Sequence, residues 1–450
     1  MGKLFGTDGV RGLANKELTP ELALELGKAG AYVLTKNTTA APKVLVAKDG
    51  RRSGDMLEAA LSAGLCSIGA EVYTCGIIPT PAVAFLIKKY NFDAGVMISA
   101  SHNPMEDNGI KFFNAQGLKL PDEVEAEIEA IIENNTDLPR PTGKDVGVVK
   151  NCPTVLDDYV AFLISTVPGL NLSGIKIAID CANGATSAVA PLVFEKLGAE
   201  VHALHYSPDG CNINAGCGST HMDSLKKYVA ENSMSLGLAF DGDGDRMLAV
   251  DENGKEVDGD VIMAICSLAL KEQGQLKDDA LVATVMSNQG LLAFAKDNGI
   301  VLHRTAVGDR YVLEKMIEDD LSLGGEQSGH IIFRKFNTTG DGILAGVQLL
   351  AVLKQKGQTL AQAAQIMEIF PQVLVNATVP NNRKAELSTN PQIKKVQADI
   401  ESKLASDERI LVRPSGTEPL VRVMIEGRNQ EMIEIWAREL ADAIEKNLNN

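Results

Sequence analysis

KIAIDCANGATSAVAPLVFEKLGAEV, residues 176–201, opens with an apolar strand, passes through a Gly-containing loop into a helical stretch, and closes on a second strand introduced by a Gly turn. Such a strand-helix-strand unit builds parallel sheet, because parallel neighbours need a long crossover. The same plan appears twice more. It runs from Lys43-Val-Leu-Val-Ala47 to Gly69-Ala-Glu-Val72, and from Leu281-Val-Ala-Thr-Val285 to Gly299-Ile-Val301. A spacing above a hundred residues is too long for a solenoid repeat, so three similar mixed α/β domains in series are expected. The last eighty or so residues alternate differently, as a strand (373–379), a helix, two strands (409–413 and 420–426) and a long closing helix, which is a smaller α+β domain. Expected boundaries are 1–150, 151–252, 253–369 and 370–450. Thr19-Pro20, Asn390-Pro391 and Asn429 each offer a capping side chain at a helix start.

A chain of 450 residues is too long for one hydrophobic core. No apolar run approaches the length of about 20 residues that spans a bilayer. The longest, Val261 to Leu270, suits a buried helix. The N-terminus shows no signal region and Gly6 stands where a myristoylation signal wants Ser or Thr, so a cytoplasmic location is expected. Seven cysteines without a Cys-x-x-Cys pair signal neither a disulfide framework nor zinc, and mostly buried reduced thiols are expected. A formal charge of −16 repels nucleic acid and anionic membranes, so neither is expected as a partner. An anionic small-molecule substrate then requires a local cluster of Lys and Arg. The oligomeric state stays open, a homodimer among the options.

Ala94-Gly-Val-Met-Ile-Ser99 reads as a buried strand running into Ala100-Ser101-His102-Asn103-Pro104. Ser101 thus lies just past a strand's carboxyl end, the edge where open α/β sheets bind ligands. A second apolar strand, Leu236 to Phe240, runs into Asp241-Gly-Asp-Gly-Asp-Arg246. Three carboxylates at alternate positions converge on one cation, and hard oxygen ligands call for magnesium or calcium. Asp241, Asp243, Asp245 and Glu252 mimic positions 1, 3, 5 and 12 of a calcium-binding EF-hand loop. That reading fails because position 6 holds Arg246 instead of Gly and the flanks read as strands.

Gly324-Gly-Glu-Gln-Ser-Gly-His330 exposes a carboxylate, a hydroxyl and an imidazole, mixed donors and acceptors that suit polyol hydroxyls. Arg413-Pro-Ser-Gly-Thr-Glu-Pro419, with Arg422 on the next strand, suits a phosphate. Near the N-terminus, Gly6-Thr-Asp-Gly-Val-Arg-Gly12 brings an arginine to a flexible loop. Taken singly, the Ser101-His-Asn-Pro104 tetrapeptide, the Gly324 segment and the Arg413 segment each also read as an ordinary turn, and the N-terminal segment is no dinucleotide fingerprint because no strand precedes it. No Gly-Lys-[Ser/Thr] and no Gly-x-Ser-x-Gly occurs, which removes a nucleotide P-loop and an α/β-hydrolase elbow.

These five segments, in this order, resemble the α-D-phosphohexomutase superfamily over essentially the whole chain. Within it, residues 5–12, 97–104 and 413–419 resemble the branch acting on glucosamine phosphates more than the phosphomannomutase/phosphoglucomutase branch, which is the alternative. The resemblance implies four domains around a central cleft, and interconversion of glucosamine 6-phosphate and glucosamine 1-phosphate through a phosphoserine and a hexose bisphosphate, supplying UDP-N-acetylglucosamine synthesis. It implies that Ser101 is the phosphoserine and that Asp241, Asp243 and Asp245 hold Mg2+ with it. Glu326 and Ser328 would read sugar hydroxyls. Arg413, Ser415, Gly416, Thr417 and Arg422 would grip the phosphate not being transferred. Arg11, Lys111 and Arg246 would surround the transferring group, with His330 lining the cleft. Arginine does not deprotonate in proteins, which leaves Lys111 or His330 as the acid/base group. A calcium-binding module and a phosphatase are the rival readings from other classes.

Overall fold

The apolar runs picked out above become the central strands of the sheets. The computed structural model describes residues 4–6, 8–36, 41–152, 154–405, 408–415 and 419–449. Ala94–Ile98 and Leu236–Phe240 are buried along their whole length, which explains their near-continuous apolar character. Packing divides the chain into two units, residues 1–286 with 299–366, and residues 287–298 with 367–450.

The larger unit holds three mixed sheets. The first has six strands in the order Val10–Leu13, Asp107–Asn114, Ala94–Ile98, Lys43–Lys48, Glu71–Ile77 and Val149–Asn151. Lys43–Lys48 is parallel to both of its neighbours, while Asp107–Asn114 runs antiparallel to Ala94–Ile98 and to Val10–Leu13. The second has five strands, ordered Glu256–Val257, Met247–Asp251, Leu236–Phe240, Lys176–Asp180 and Glu200–Leu204. The third has four, Val301–Thr305, Ala280–Thr284, Leu323–Gly325 and Ile331–Phe333. Gly198, which opens the second strand of the quoted segment, has φ +94°, a conformation that strains any side chain.

The helix Gly259–Glu272 contains the predicted apolar run and buries most of it, its N-terminus capped by Asp258, which accepts from the Val261 N–H at 3.1 Å. Among the described residues no helix is long and apolar enough to cross a membrane. All seven cysteines are free, but only Cys181, Cys217 and Cys266 are buried, fewer than expected.

The smaller unit carries a three-stranded antiparallel sheet, Gln372–Thr378, Leu420–Glu426 and Arg409–Pro414, with helices Pro391–Glu401 and Gln430–Leu448. Ile393, Ile400, Ile433, Leu440 and Ile444 form its core with Val421, Val423 and Ile425. Helix Gln289–Asp297 belongs to this unit by its packing, although chain order places it inside the third strand-helix-strand segment. The reason is polar: the Asn288 side chain exchanges hydrogen bonds with the Phe370 backbone at 2.9 and 3.0 Å, and Glu426 accepts from the Gln289 N–H at 3.0 Å.

Candidate active site

Ser101 lies three residues beyond strand Ala94–Ile98 and is almost fully buried. Its hydroxyl donates to Asp241 Oδ2 at 2.5 Å, across 140 residues of sequence. The carboxyl ends of these two interior strands therefore deliver the hydroxyl to the acidic loop. Close approach is possible because residue 242 is glycine. A Cβ there would come within 2.5 Å of the Ser101 carbonyl oxygen.

Asp241, Asp243 and Asp245 are all buried, and one oxygen from each lies within 4.8 Å of the others. Asp243 Oδ1 and Asp245 Oδ1 are buried without a hydrogen-bond partner. Burial, then Asp245 and Asp243, pushes the Asp241 carboxyl well above the usual range, and burial with Asp243 raises Asp245. Burial opposes ionisation of Asp243 as well, but Lys111 and the hydrogen bonds from Lys111 and Thr80 hold it well below the usual range. Three crowded carboxylates with orphaned oxygens are a donor set that a hard divalent cation fits. The flanking segments are strands, Leu236–Phe240 and Met247–Asp251, so the EF-hand geometry is absent.

Lys111, on strand Asp107–Asn114, is 1% exposed, with its ammonium 2.8 Å from Asp243 Oδ2 and 2.9 Å from Asp8 Oδ2. Burial alone would lower its pKa, yet Asp243, Asp8 and Asp245 raise it, so the amine is held charged. Arg11 is not in a flexible loop. It sits on strand Val10–Leu13, opposite Gly109, bonded to Asp8 and donating to the Ala100 carbonyl at 3.3 Å. The strand forms there because Gly109 leaves room: a Cβ would meet the Ser99 carbonyl oxygen at 2.4 Å and the Arg11 side chain at 3.1 Å. Arg246 anchors its N–H on Asp241 Oδ1 at 3.1 Å and places Nη1 3.3 Å from His102 Nδ1. Burial, then Arg246 and Arg11, depresses His102 to about 4, so its ring is neutral near pH 7.

Glu326, Ser328 and His330 lie in the turn between strands Leu323–Gly325 and Ile331–Phe333. Ser328 donates to Glu326 Oε2 at 3.2 Å, and Glu326 Oε1 accepts from the Gly308 N–H at 3.1 Å. His330 is 2% exposed, its Nε2 3.4 Å from Asp309 Oδ2 and 3.8 Å from Asp245 Oδ2, and neither ring nitrogen has a hydrogen-bond partner. The larger unit thus brings Ser101, Lys111, Arg11, Arg246, His330 and the three aspartates together, and the local cation cluster that the acidic composition demanded is present.

Sequence reading missed the groups that balance these charges. Lys119 bridges Asp8 and Asp309 at 2.5 and 2.6 Å, and Thr80 donates to Asp243 Oδ2 at 2.5 Å. Asp8 lies inside the quoted N-terminal segment and was open to notice. Lys119 and Asp309 carried no local signal, being 190 residues apart.

In the smaller unit, Arg413 and Arg422 face each other across an antiparallel pair. Burial and the neighbouring Arg422 lower the Arg413 pKa. Ser415 is buried and its carbonyl accepts from Lys384 Nζ at 2.7 Å, a lysine the sequence reading passed over. Gly416 and Thr417 lie outside the described residues.

Four family profiles, described as phosphoglucomutase/phosphomannomutase alpha/beta/alpha domains I, II and III and C-terminal domain, match residues 2–138, 157–254, 258–370 and 374–443. The chain belongs to the phosphoglucomutase/phosphomannomutase family, the α-D-phosphohexomutases. Among its relatives, it is 56% identical to phosphoglucosamine mutase of Ruminiclostridium cellulolyticum and 57% identical to phosphoglucosamine mutase of Acetivibrio thermocellus, each over 100% of both chains. The fold is shared with a phosphoglucomutase/phosphomannomutase family protein from Burkholderia thailandensis (TM-score 0.80, 23% identity, 98% and 97% of the two chains). It is shared too with Aspergillus fumigatus N-acetylphosphoglucosamine mutase, solved in complex with GlcNAc-6P and magnesium (TM-score 0.71, 18% identity, 99% and 96%).

Proposed function

We infer that the chain is an intramolecular phosphotransferase that interconverts glucosamine 6-phosphate and glucosamine 1-phosphate through phosphorylated Ser101. The observation that carries the chemistry is the buried Ser101 hydroxyl, 2.5 Å from one of three converging carboxylates. Full-length identity to phosphoglucosamine mutases favours this substrate over glucose or mannose phosphates. A cytoplasmic location is proposed with it, from the full-length likeness to bacterial phosphoglucosamine mutases.

Asp241, Asp243 and Asp245, with an oxygen on Ser101, are proposed to hold Mg2+. When bound, this ion supplies positive charge to the transferring phosphoryl group. Ser101 donates its phosphoryl group to one hydroxyl of the sugar phosphate: the bond from phosphorus to Ser101 Oγ breaks as the bond to the sugar oxygen forms. The hexose bisphosphate so formed reverses its orientation and returns the other phosphoryl group to Ser101. Arg11, Lys111 and Arg246 stabilise the developing charge, so positioning and electrostatics carry most of the rate. Lys111, held charged by Asp243 and Asp8, offers fixed positive charge to the transferring group, and either it or the buried His330 serves as the acid/base group. Glu326 and Ser328 read sugar hydroxyls. Arg413, Ser415, Gly416, Thr417 and Arg422 hold the phosphate that is not transferred, which would relieve the repulsion between the two facing arginines.

The test is a product assay by 31P NMR with hexosamine and hexose phosphates, magnesium and a trace of hexose bisphosphate as activator. Movement of phosphate between positions 6 and 1 without inorganic phosphate supports a mutase. Stoichiometric release of inorganic phosphate would make it a phosphatase.

A further inference from the structure

Ser101 adopts φ +53°, in the left-handed region. For a residue with a Cβ this costs on the order of 1–2 kcal/mol and persists only where surrounding bonds over-determine it. Those bonds are all accounted for. The Ser101 N–H donates to Ser99 Oγ at 2.9 Å, and that hydroxyl donates to Asp49 Oδ2 at 2.6 Å. The Ser101 carbonyl accepts from Arg51 Nη2 at 3.0 Å and from Asn214 Nδ2 at 2.9 Å, and the Asn103 carbonyl accepts from the same two nitrogens at 2.9 Å each. Arg51 also binds the Pro104 and Asp107 carbonyls and pairs with Asp49 at 2.9 Å, so it knits the first domain's own loop.

Asn214 is different, because it comes from a separate part of the chain. It sits in the irregular segment between strand Glu200–Leu204 and helix Asp223–Glu231, with φ +57° and its N–H on the Ala182 carbonyl at 2.9 Å. It is 8% exposed. A Cβ at Gly242 would fall 2.5 Å from the Ser101 carbonyl oxygen and 2.9 Å from Asn214 Nδ2, so this amide, the serine carbonyl and the acidic loop are packed against one another. Both lone pairs of the Ser101 carbonyl are taken, and rotating that peptide would leave a buried amide unpaired.

We propose that Asn214 is a positioning residue for phosphoryl transfer: by clamping the Ser101 and Asn103 carbonyls it fixes the direction of the Ser101 hydroxyl relative to the aspartate loop. The inference rests on Ser101 being the phosphoryl carrier. It touches neither sugar nor transferring group, so its effect belongs to kcat and not to KM. A displacement of about 1 Å at a reacting centre costs on the order of 100-fold in rate.

The experiment compares the full-length wild type with Asn214→Gly and Asn214→Asp. Glycine accepts the left-handed backbone and removes the amide, while aspartate keeps the shape and turns an oxygen toward two carbonyl oxygens. Turnover of glucosamine 6-phosphate is expressed per folded molecule, the folded fraction being taken from near-UV circular dichroism. Expected is a fall in kcat of at least tenfold for glycine and a larger fall for aspartate, with KM within threefold of wild type. Phosphoserine, followed by intact mass, should also divide more toward water and less toward sugar. A kcat per folded molecule within twofold of wild type in both variants, or a loss confined to KM, would overturn the proposal. A wild type that shows mutase turnover without ever carrying phosphate on Ser101 would instead overturn the reading beneath it.

Discussion

Replacing Lys111 with methionine keeps much of the buried volume and removes one charge, which makes it a clean probe of the electrostatics. Its ammonium lies 2.8 Å from Asp243 and 2.9 Å from Asp8. At an effective dielectric constant of about 20 each contact is worth roughly 6 kcal/mol of attraction, most of it offset by desolvation. Removing one partner of a buried pair typically costs about 3–5 kcal/mol, because the other charge is stranded. Asp8 retains Lys119 and Arg11, whereas Asp243 retains only the Thr80 hydroxyl and an oxygen without a partner. Asp8 is still compensated but fully buried Asp243 is stranded, so the cost sits toward the upper end, about 5 kcal/mol, or several degrees in Tm for the larger unit. On the proposed reading magnesium binds these same carboxylates, so millimolar magnesium should stabilise Lys111→Met more than wild type. Urea unfolding with EDTA and with magnesium measures both quantities. A metal-free variant as stable as wild type, or equal magnesium stabilisation of the two proteins, would refute the reasoning.

Ser101→Ala should abolish turnover while the fold persists, and intact mass should find a phosphorylated fraction in the wild type only; substantial mutase activity in the variant would exclude the covalent route. Arg422→Ala should raise KM for sugar phosphate strongly, with a smaller fall in kcat, as expected for a binding contact shared by ground and transition states. An unchanged KM would remove Arg422 from the phosphate grip. His102 is depressed from 6.5 to about 4, so its contribution to stability is complete above pH 6.5 and is lost as pH falls toward 4. At about 1.4 kcal/mol for each tenfold change in proton affinity, the ceiling is roughly 3 kcal/mol. His102→Gln should lose less stability than wild type between pH 7 and 4.5 in urea titrations, and parallel pH curves would contradict this.

Local signals carried most of the fold. Thr19, Asn390 and Asn429 all cap the helices they were expected to start, through bonds to Leu22, to Gln392 and Ile393, and to Met432. Strands Lys176–Asp180, Leu236–Phe240 and Leu420–Glu426 match the apolar runs residue for residue. Short edge strands were harder. Val10–Leu13 reads as loop because its pairing partner, Asp107–Asn114, is a hundred residues away, and only the opposing Gly109 makes room for it. The site divides along the same line. Ser101 and the three aspartates sit in contiguous motifs and were legible. Asn214, Lys119 and Asp309 act through contacts spanning 111 to 190 residues, which no local window contains.

The most direct test is the steady-state comparison of glucosamine 1-phosphate with glucose 1-phosphate, at saturating magnesium and bisphosphate, with phosphate positions followed by 31P NMR. Glu326 and Ser328 reading hydroxyls at C3 and C4 would not sense C2, so some glucose phosphate turnover is expected beside a clear preference in kcat/KM for the amino sugar. A preference for glucose 1-phosphate would contradict the account and move the chain to the phosphoglucomutase branch.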